Sequence, residues 1–174
     1  MRTVLRISIV TAVALAALVA ARSAPAAPAS TSFAIVGYEY AFTQTVGSFA
    51  GTGEGNAGES AAWNARVEHD PLGSTPTYVN GGSFEIGTLS RTTGHVDYAT
   101  GTIGYHSGTI TTVNAGVNCT NQQYLVAGGL EDVKTRTTSG GSGSFEVTLT
   151  HFRYSIFGRC VIYKASVKGV VTFT

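Results

Sequence analysis

The chain has 174 residues, 43% of them hydrophobic and 12% charged, with a formal net charge of +1, 22 glycines, four prolines and two cysteines. That arithmetic excludes a collagen-like chain, a long disordered tail and a disulfide-dense mini-protein. It leaves one domain preceded by an export signal.

Residues 1–29 read as that signal. Arg2 and Arg6 form a basic n-region, and Ile7 to Ala20 is an uncharged Ala/Val/Leu-rich run of 14 residues. The run is too short and too weakly apolar to span a bilayer core of roughly 30 Å. Ala24-Pro25-Ala26 and Ala27-Pro28-Ala29 then supply small residues at cleavage spacing, completing a tripartite secretory signal. The competing reading is an N-terminal membrane anchor. An Ala-dominated h-region points to a bacterial source, and export makes the protein extracellular or periplasmic.

Residues 30–174 form the mature domain in this reading. Arg2, Arg6 and Arg22 leave with the signal, so 8 bases face 10 acids and the charge becomes about −2. Such a balance lacks the basic footprint of a phosphate binder, which disfavours nucleic acid as a partner. It equally disfavours electrostatic docking on anionic lipid. A domain of this size buries roughly 70% of its unfolded surface, enough for one core.

All 22 glycines fall in the mature part, beside 22 threonines, 14 valines and five leucines. Glycine weakens helices and β-branched residues favour strands, so the composition predicts an all-β fold. The first strand carries Val36, Tyr38, Tyr40 and Phe42 in alternation. In the second, Trp63, Ala65 and Val67 alternate against Asn64, Arg66 and Glu68. Phe84 and Ile86 mark a third, followed by Val96 and Tyr98, then Ile103 and Tyr105, with Ile110 beyond. Tyr124, Val126 and Leu130 come after Cys119. Phe145, Val147 and Leu149 alternate next, and past Leu149 the apolar phase flips to Phe152, Tyr154 and Ile156, as a bulge near His151 would cause. The last strand puts Val161, Tyr163, Ala165, Val167, Gly169, Val171 and Phe173 on one buried face.

Turn signals separate these runs, among them Asp70-Pro71-Leu72-Gly73, Asn80-Gly81-Gly82, Thr100-Gly101 and Ser139 to Gly143. About eight to ten strands joined by hairpins predict a single antiparallel β-barrel, with a two-layer β-sandwich as the alternative. Glycines inside strands favour the barrel, whose tightly coiled strands need bends. Cys119 and Cys160, an even count in an oxidising compartment, predict a disulfide.

Chemistry-bearing residues are few. His95 and Asp97 are two apart on one strand face, and His106 is placed to come alongside. The three suit a His–carboxylate acid/base pair or a ligand site, against a solvent-facing polar face. His151 and Arg153, pointing inward at a barrel mouth, suit an anionic ligand, against a bulge that turns them to solvent. His69-Asp70 before Pro71 reads as turn chemistry. No Gly-x-Ser-x-Gly elbow, phosphate cradle or paired acids stand out, and no metal or cofactor is expected. Strand tyrosines suit a barrel interior that holds a small, partly polar ligand, or they fill and cover the barrel.

Three functions compete. The leading one is a non-enzymatic secreted binding or structural module, taking a small molecule in its interior or a protein partner on its loops. The others are a barrel enzyme of cyclase or isomerase type and a small outer-membrane barrel, the last disfavoured by Thr174 at the end of the chain and by a mid-chain disulfide. An oligomer is one way to cover sheet edges.

Overall fold

The computed structural model describes residues 31–56, 58–89, 96–135 and 139–174, with backbone alone at 88–89 and 96–98. The expected export segment, residues 1–29, lies outside the described residues. The domain consists of β1 (Thr31–Phe42), β2 (Val46–Gly55), β3 (Ser60–His69), β4 (Thr77–Leu89), β5 (Val96–Ile103), β6 (Gly108–Asn114), β7 (Gln122–Thr135), β8 (Gly141–Ile156) and β9 (Arg159–Phe173). A single 3-10 turn, Val117–Cys119, joins β6 to β7.

The strands form one antiparallel sheet that closes on itself. The ring runs β3–β2–β1–β9–β8–β7–β5–β4 and returns to β3. That is a closed eight-strand barrel plus one extra strand, β6, and the sandwich alternative falls away. β6 takes its place in an unusual manner. It pairs with the start of β4 (Val79 opposite Gly108) where β5 pairs with the rest (Gly82 opposite Ile103), and both lie against β7. β5 and β6 are therefore two halves of one stave running in the same direction, interrupted at Gly104–Ser107.

Alternation explains the core. In β3, Ala61, Trp63, Ala65, Val67 and His69 point inward while Ala62, Asn64 and Arg66 face solvent. Trp63 stacks on Phe84 with ring centroids 6.0 Å apart, and Phe84 and Phe33 both meet Phe173. Burying each large apolar side chain contributes roughly 1.5–3 kcal/mol. The Trp63 indole N–H donates to the carbonyls of Val36 and Thr52 at 3.2 and 3.1 Å. Gly37 and Gly51, opposite each other on β1 and β2, leave that ring its space: a Cβ at Gly37 would lie 2.7 Å from the indole. The packed interior leaves an apolar cavity of only about 40 Å³ there.

Two expectations about facing change. In β1 the buried residues are Phe33 and Ile35, whereas Val36, Tyr38, Tyr40 and Phe42 are each at least half exposed. In β9 the buried phase holds from Ala165 to Phe173 and fails at Val161 and Tyr163, both exposed. The cause is a bulge. Phe152 pairs with Lys164 and Arg153 with Ile162, so Tyr163 is an extra residue on β9. The tyrosines mainly clothe the outside of the barrel; among those whose side chains are described, Tyr124 alone is buried.

Candidate functional site

One end of the barrel is ringed by the turn between β1 and β2, the β3–β4 loop (residues 70–76), the β6–β7 loop (115–121) and the β8–β9 hairpin. Strands delivering inward-facing residues to this mouth bring polar groups with them. On β1 the inward phase runs Phe33, Ile35, Gly37 and then Glu39. On β8 it runs Phe145, Val147, Leu149 and then His151. β1 and β8 flank β9, so the last inward residues of both meet across the interior.

Glu39 and His151 form a buried pair. The carboxylate Oε2 lies 2.8 Å from Nε2 of the imidazole, and the two side chains are 4% and 5% exposed. Phe42 packs over the imidazole at 5.8 Å between centroids, and Tyr124 meets it edge-on at 5.6 Å. Burial, chiefly, raises the Tyr124 hydroxyl above its ordinary value; the guanidinium of Arg153 opposes the rise and the Glu39 charge adds to it. The phenol therefore stays protonated, able to donate a hydrogen bond. Neither the Tyr124 hydroxyl nor Nδ1 of His151 has a hydrogen-bond partner among the described residues.

His69 is the second imidazole here. Its Nδ1 donates to the Asp70 carbonyl at 2.6 Å, so the neutral ring keeps Nε2 as an acceptor. Glu39, His69, Tyr124 and His151 share the wall of a small cavity of about 40 Å³, enough for ordered water but not for a ligand. Above it, Tyr124 and His151 also floor an open cavity of about 520 Å³, whose walls include Phe42, Gln44, Leu72 and Ile162. That volume falls within the range of small-molecule sites. Just outside, the Asp70 carboxylate accepts from the Asn80 amide and the Tyr78 N–H, which hold its pKa below the ordinary value.

The mouth is braced on one side. Cys119 on the β6–β7 loop is bonded to Cys160 on the β8–β9 hairpin, as the cysteine count predicts. Arg153 lies past the bulge and is half-buried. Its guanidinium donates to the Gly116 carbonyl at 3.3 Å and its backbone N–H to the Asn121 side chain at 3.3 Å. It fastens hairpin to loop near the mouth, while His151 points in.

The other sequence candidates do not join this site. His106 stands in the stave break at φ +52, exposed and stacked between Tyr105 and Tyr78 with centroids 4.0 and 4.5 Å away. Asp97 sits at the far end of the same stave, its backbone paired with Thr88. No hairpin separates β5 from β6, so Asp97 and His106 do not come alongside each other. His95 lies outside the described residues. Sequence reading missed Glu39, took His69 for turn chemistry and did not single Tyr124 out from the other strand tyrosines. The available signal was Glu39 itself, a charge in the inward phase of an alternating strand whose aromatic residues turn out to face solvent. Among the described residues no three His, Cys, Asp or Glu side chains cluster as metal ligands. Comparison of the chain with protein-family models, curated proteins and solved structures finds no match.

Proposed function

We propose that this protein is a secreted, non-enzymatic binding module that holds a small, largely apolar molecule bearing one hydrogen-bonding head in the barrel mouth. The observation that carries the reading is His151, buried and paired with Glu39 behind it, in the wall of an open cavity of about 520 Å³. A buried His–carboxylate pair is weak as a stabilising device, because desolvation offsets its attraction. Its position beside a concave, mostly apolar site supports a functional role. The ligand's head meets His151 and Tyr124, and its body lies against Phe42, Leu72 and Ile162. The filled interior supports a ligand at the mouth over one held deep in the barrel.

A disulfide, together with the absence of a membrane-spanning helix among the described residues, is compatible with export. The outward faces of β3 and β8 carry Asn64, Arg66, Glu68 and Glu146, which weighs against a transmembrane barrel, while β1 and β9 turn Val36, Tyr38, Tyr40 and Tyr163 outward. The test is titration with 1-anilinonaphthalene-8-sulfonate, an apolar fluorophore with one polar head. Saturable binding that weakens at least about tenfold in Gln44→Trp, which fills the cavity without touching the pair, supports the reading; unchanged binding, or none, sinks it.

A second reading, an acid–base enzyme of isomerase type, is favoured by an Nδ1 of His151 without a hydrogen-bond partner among the described residues, on a ring that Tyr124 meets edge-on. Its mark is turnover lost in both His151→Ala and Tyr124→Phe.

A further inference from the structure

The β8–β9 hairpin ends in a two-residue turn, Phe157-Gly158, between the paired residues Ile156 and Arg159. Both turn residues have positive φ, +48° and +74°, the signature of a type I′ turn. Asn or Asp normally fills the first position, because a bulky side chain there is strained. Here it is Phe, and its side chain is 100% exposed. The sequence thus places a large apolar ring where both backbone and solvent oppose it. Such a residue is accounted for by what it touches outside the molecule.

Its surroundings indicate the partner. Tyr154, Val161 and Tyr163 on the hairpin are 43%, 39% and 61% exposed, and Val117 on the disulfide-tethered loop is 69% exposed. From Val147 to Thr174 there is no acid, while Arg153, Arg159, Lys164 and Lys168 supply four bases. Of the nearby acids, Glu39 is buried against His151 and Glu68 is paired with Arg66, while Asp70 keeps its charge, hydrogen-bonded by Asn80 and Tyr78. Glu54, Glu59, Glu131 and Asp132 lie toward the opposite end. The net charge of about −2 therefore conceals a cationic β8–β9 hairpin. Tyr154 and Tyr163 meet edge-to-face at 64°, which gives no flat platform for a sugar ring. Tyrosines at the waist, bases beside them and a bare Phe at the tip match the layering of a membrane interface.

We propose that the β8–β9 hairpin docks the barrel mouth on a lipid surface bearing anionic headgroups. Phe157 enters the acyl boundary, Tyr154 and Tyr163 sit at headgroup level, and Arg159 and Lys164 meet the phosphates. The Cys119–Cys160 bond fixes the hairpin to the neighbouring loop, so the tip is presented already ordered.

Flotation of the oxidised protein with phosphatidylcholine vesicles, with and without phosphatidylglycerol, tests this. Binding is expected on the anionic vesicles and should fall as salt rises. Phe157→Asn suits the I′ turn, so the fold survives while membrane affinity drops about tenfold. Arg159→Gln and Lys164→Gln should each lower it about fivefold. No flotation with anionic vesicles at low salt overturns the proposal, as does flotation indifferent to Phe157→Asn. A protein partner bound through Phe157 while vesicles stay free overturns it too. The Gln44→Trp cavity variant leaves the hairpin untouched, so failure of mouth binding and failure of docking are told apart.

Discussion

At the far end of the barrel Phe33, Trp63, Phe84 and Phe173 stack on one another, whereas the mouth end buries Glu39, His69, Thr77 and His151. Both sets occupy inward positions on alternating strands. The aromatic set gives area removed from water and asks for a partner only at the Trp63 N–H, which the Val36 and Thr52 carbonyls supply. The polar set must be answered group by group: Thr77 donates to the Ser74 carbonyl at 2.8 Å, His69 to Asp70, and Glu39 is paired with His151. A fold seeking stability alone would continue the aromatic stack to both ends. The difference is what supports the proposed placement of binding at the mouth.

Four measurements would break or sharpen that contrast. Phe84→Ala removes a ring from the middle of the stack and should cost about 3–5 kcal/mol in denaturant unfolding. A much smaller loss would mean the far end is loosely packed. At the mouth, His151→Leu leaves the Glu39 carboxylate buried without its partner and should cost about 3 kcal/mol or more. The double replacement Glu39→Leu with His151→Leu should recover most of that loss while ligand binding stays abolished. A thermodynamic cycle over the four proteins reads the coupling directly. If the double variant is as unstable as the single one, the pair is structural and the functional reading of the mouth weakens.

Removing the bridge with Cys119→Ser and Cys160→Ser frees a separation of 41 residues and should cost about 2–4 kcal/mol. Hydrogen exchange should rise in the hairpin and the β6–β7 loop while the far end stays protected. The smallest effect concerns pH. The Asp70 carboxyl is held below its ordinary value of 3.8 by hydrogen bonds from Asn80 and Tyr78. Its contribution is therefore complete above that value and is lost as pH falls through the lower folded one. Asp70→Asn should flatten this part of the acid limb when unfolding midpoints are compared between neutral and acidic pH. An unchanged limb would assign it to other carboxylates.

Several elements were legible beforehand for a clear reason. In β3 the inward Trp63, Ala65 and Val67 and outward Asn64 and Arg66 differ in polarity, so alternation names the buried face. In β1 the rule misled, because Tyr38 and Tyr40 face out while Glu39 is charged and faces in. Along β8 and β9 the phase change near His151 was visible. Its origin in Tyr163, an extra residue on the partner strand, was not, since a bulge belongs to the pairing of two strands. His106 and Asp97 looked like neighbours because a stave break reads in sequence like a hairpin turn.

The sequence by itself determined the all-β class, the approximate strand number and the pairing of its two cysteines. Those follow from local preference, side-chain period and residue count. Closure of the sheet, the shared stave of β5 and β6 and the meeting of Glu39 with His151 across β9 were decided only by the tertiary structure. Each depends on which strands become neighbours and in what register, and residues 112 apart in sequence carry no local signal of their contact.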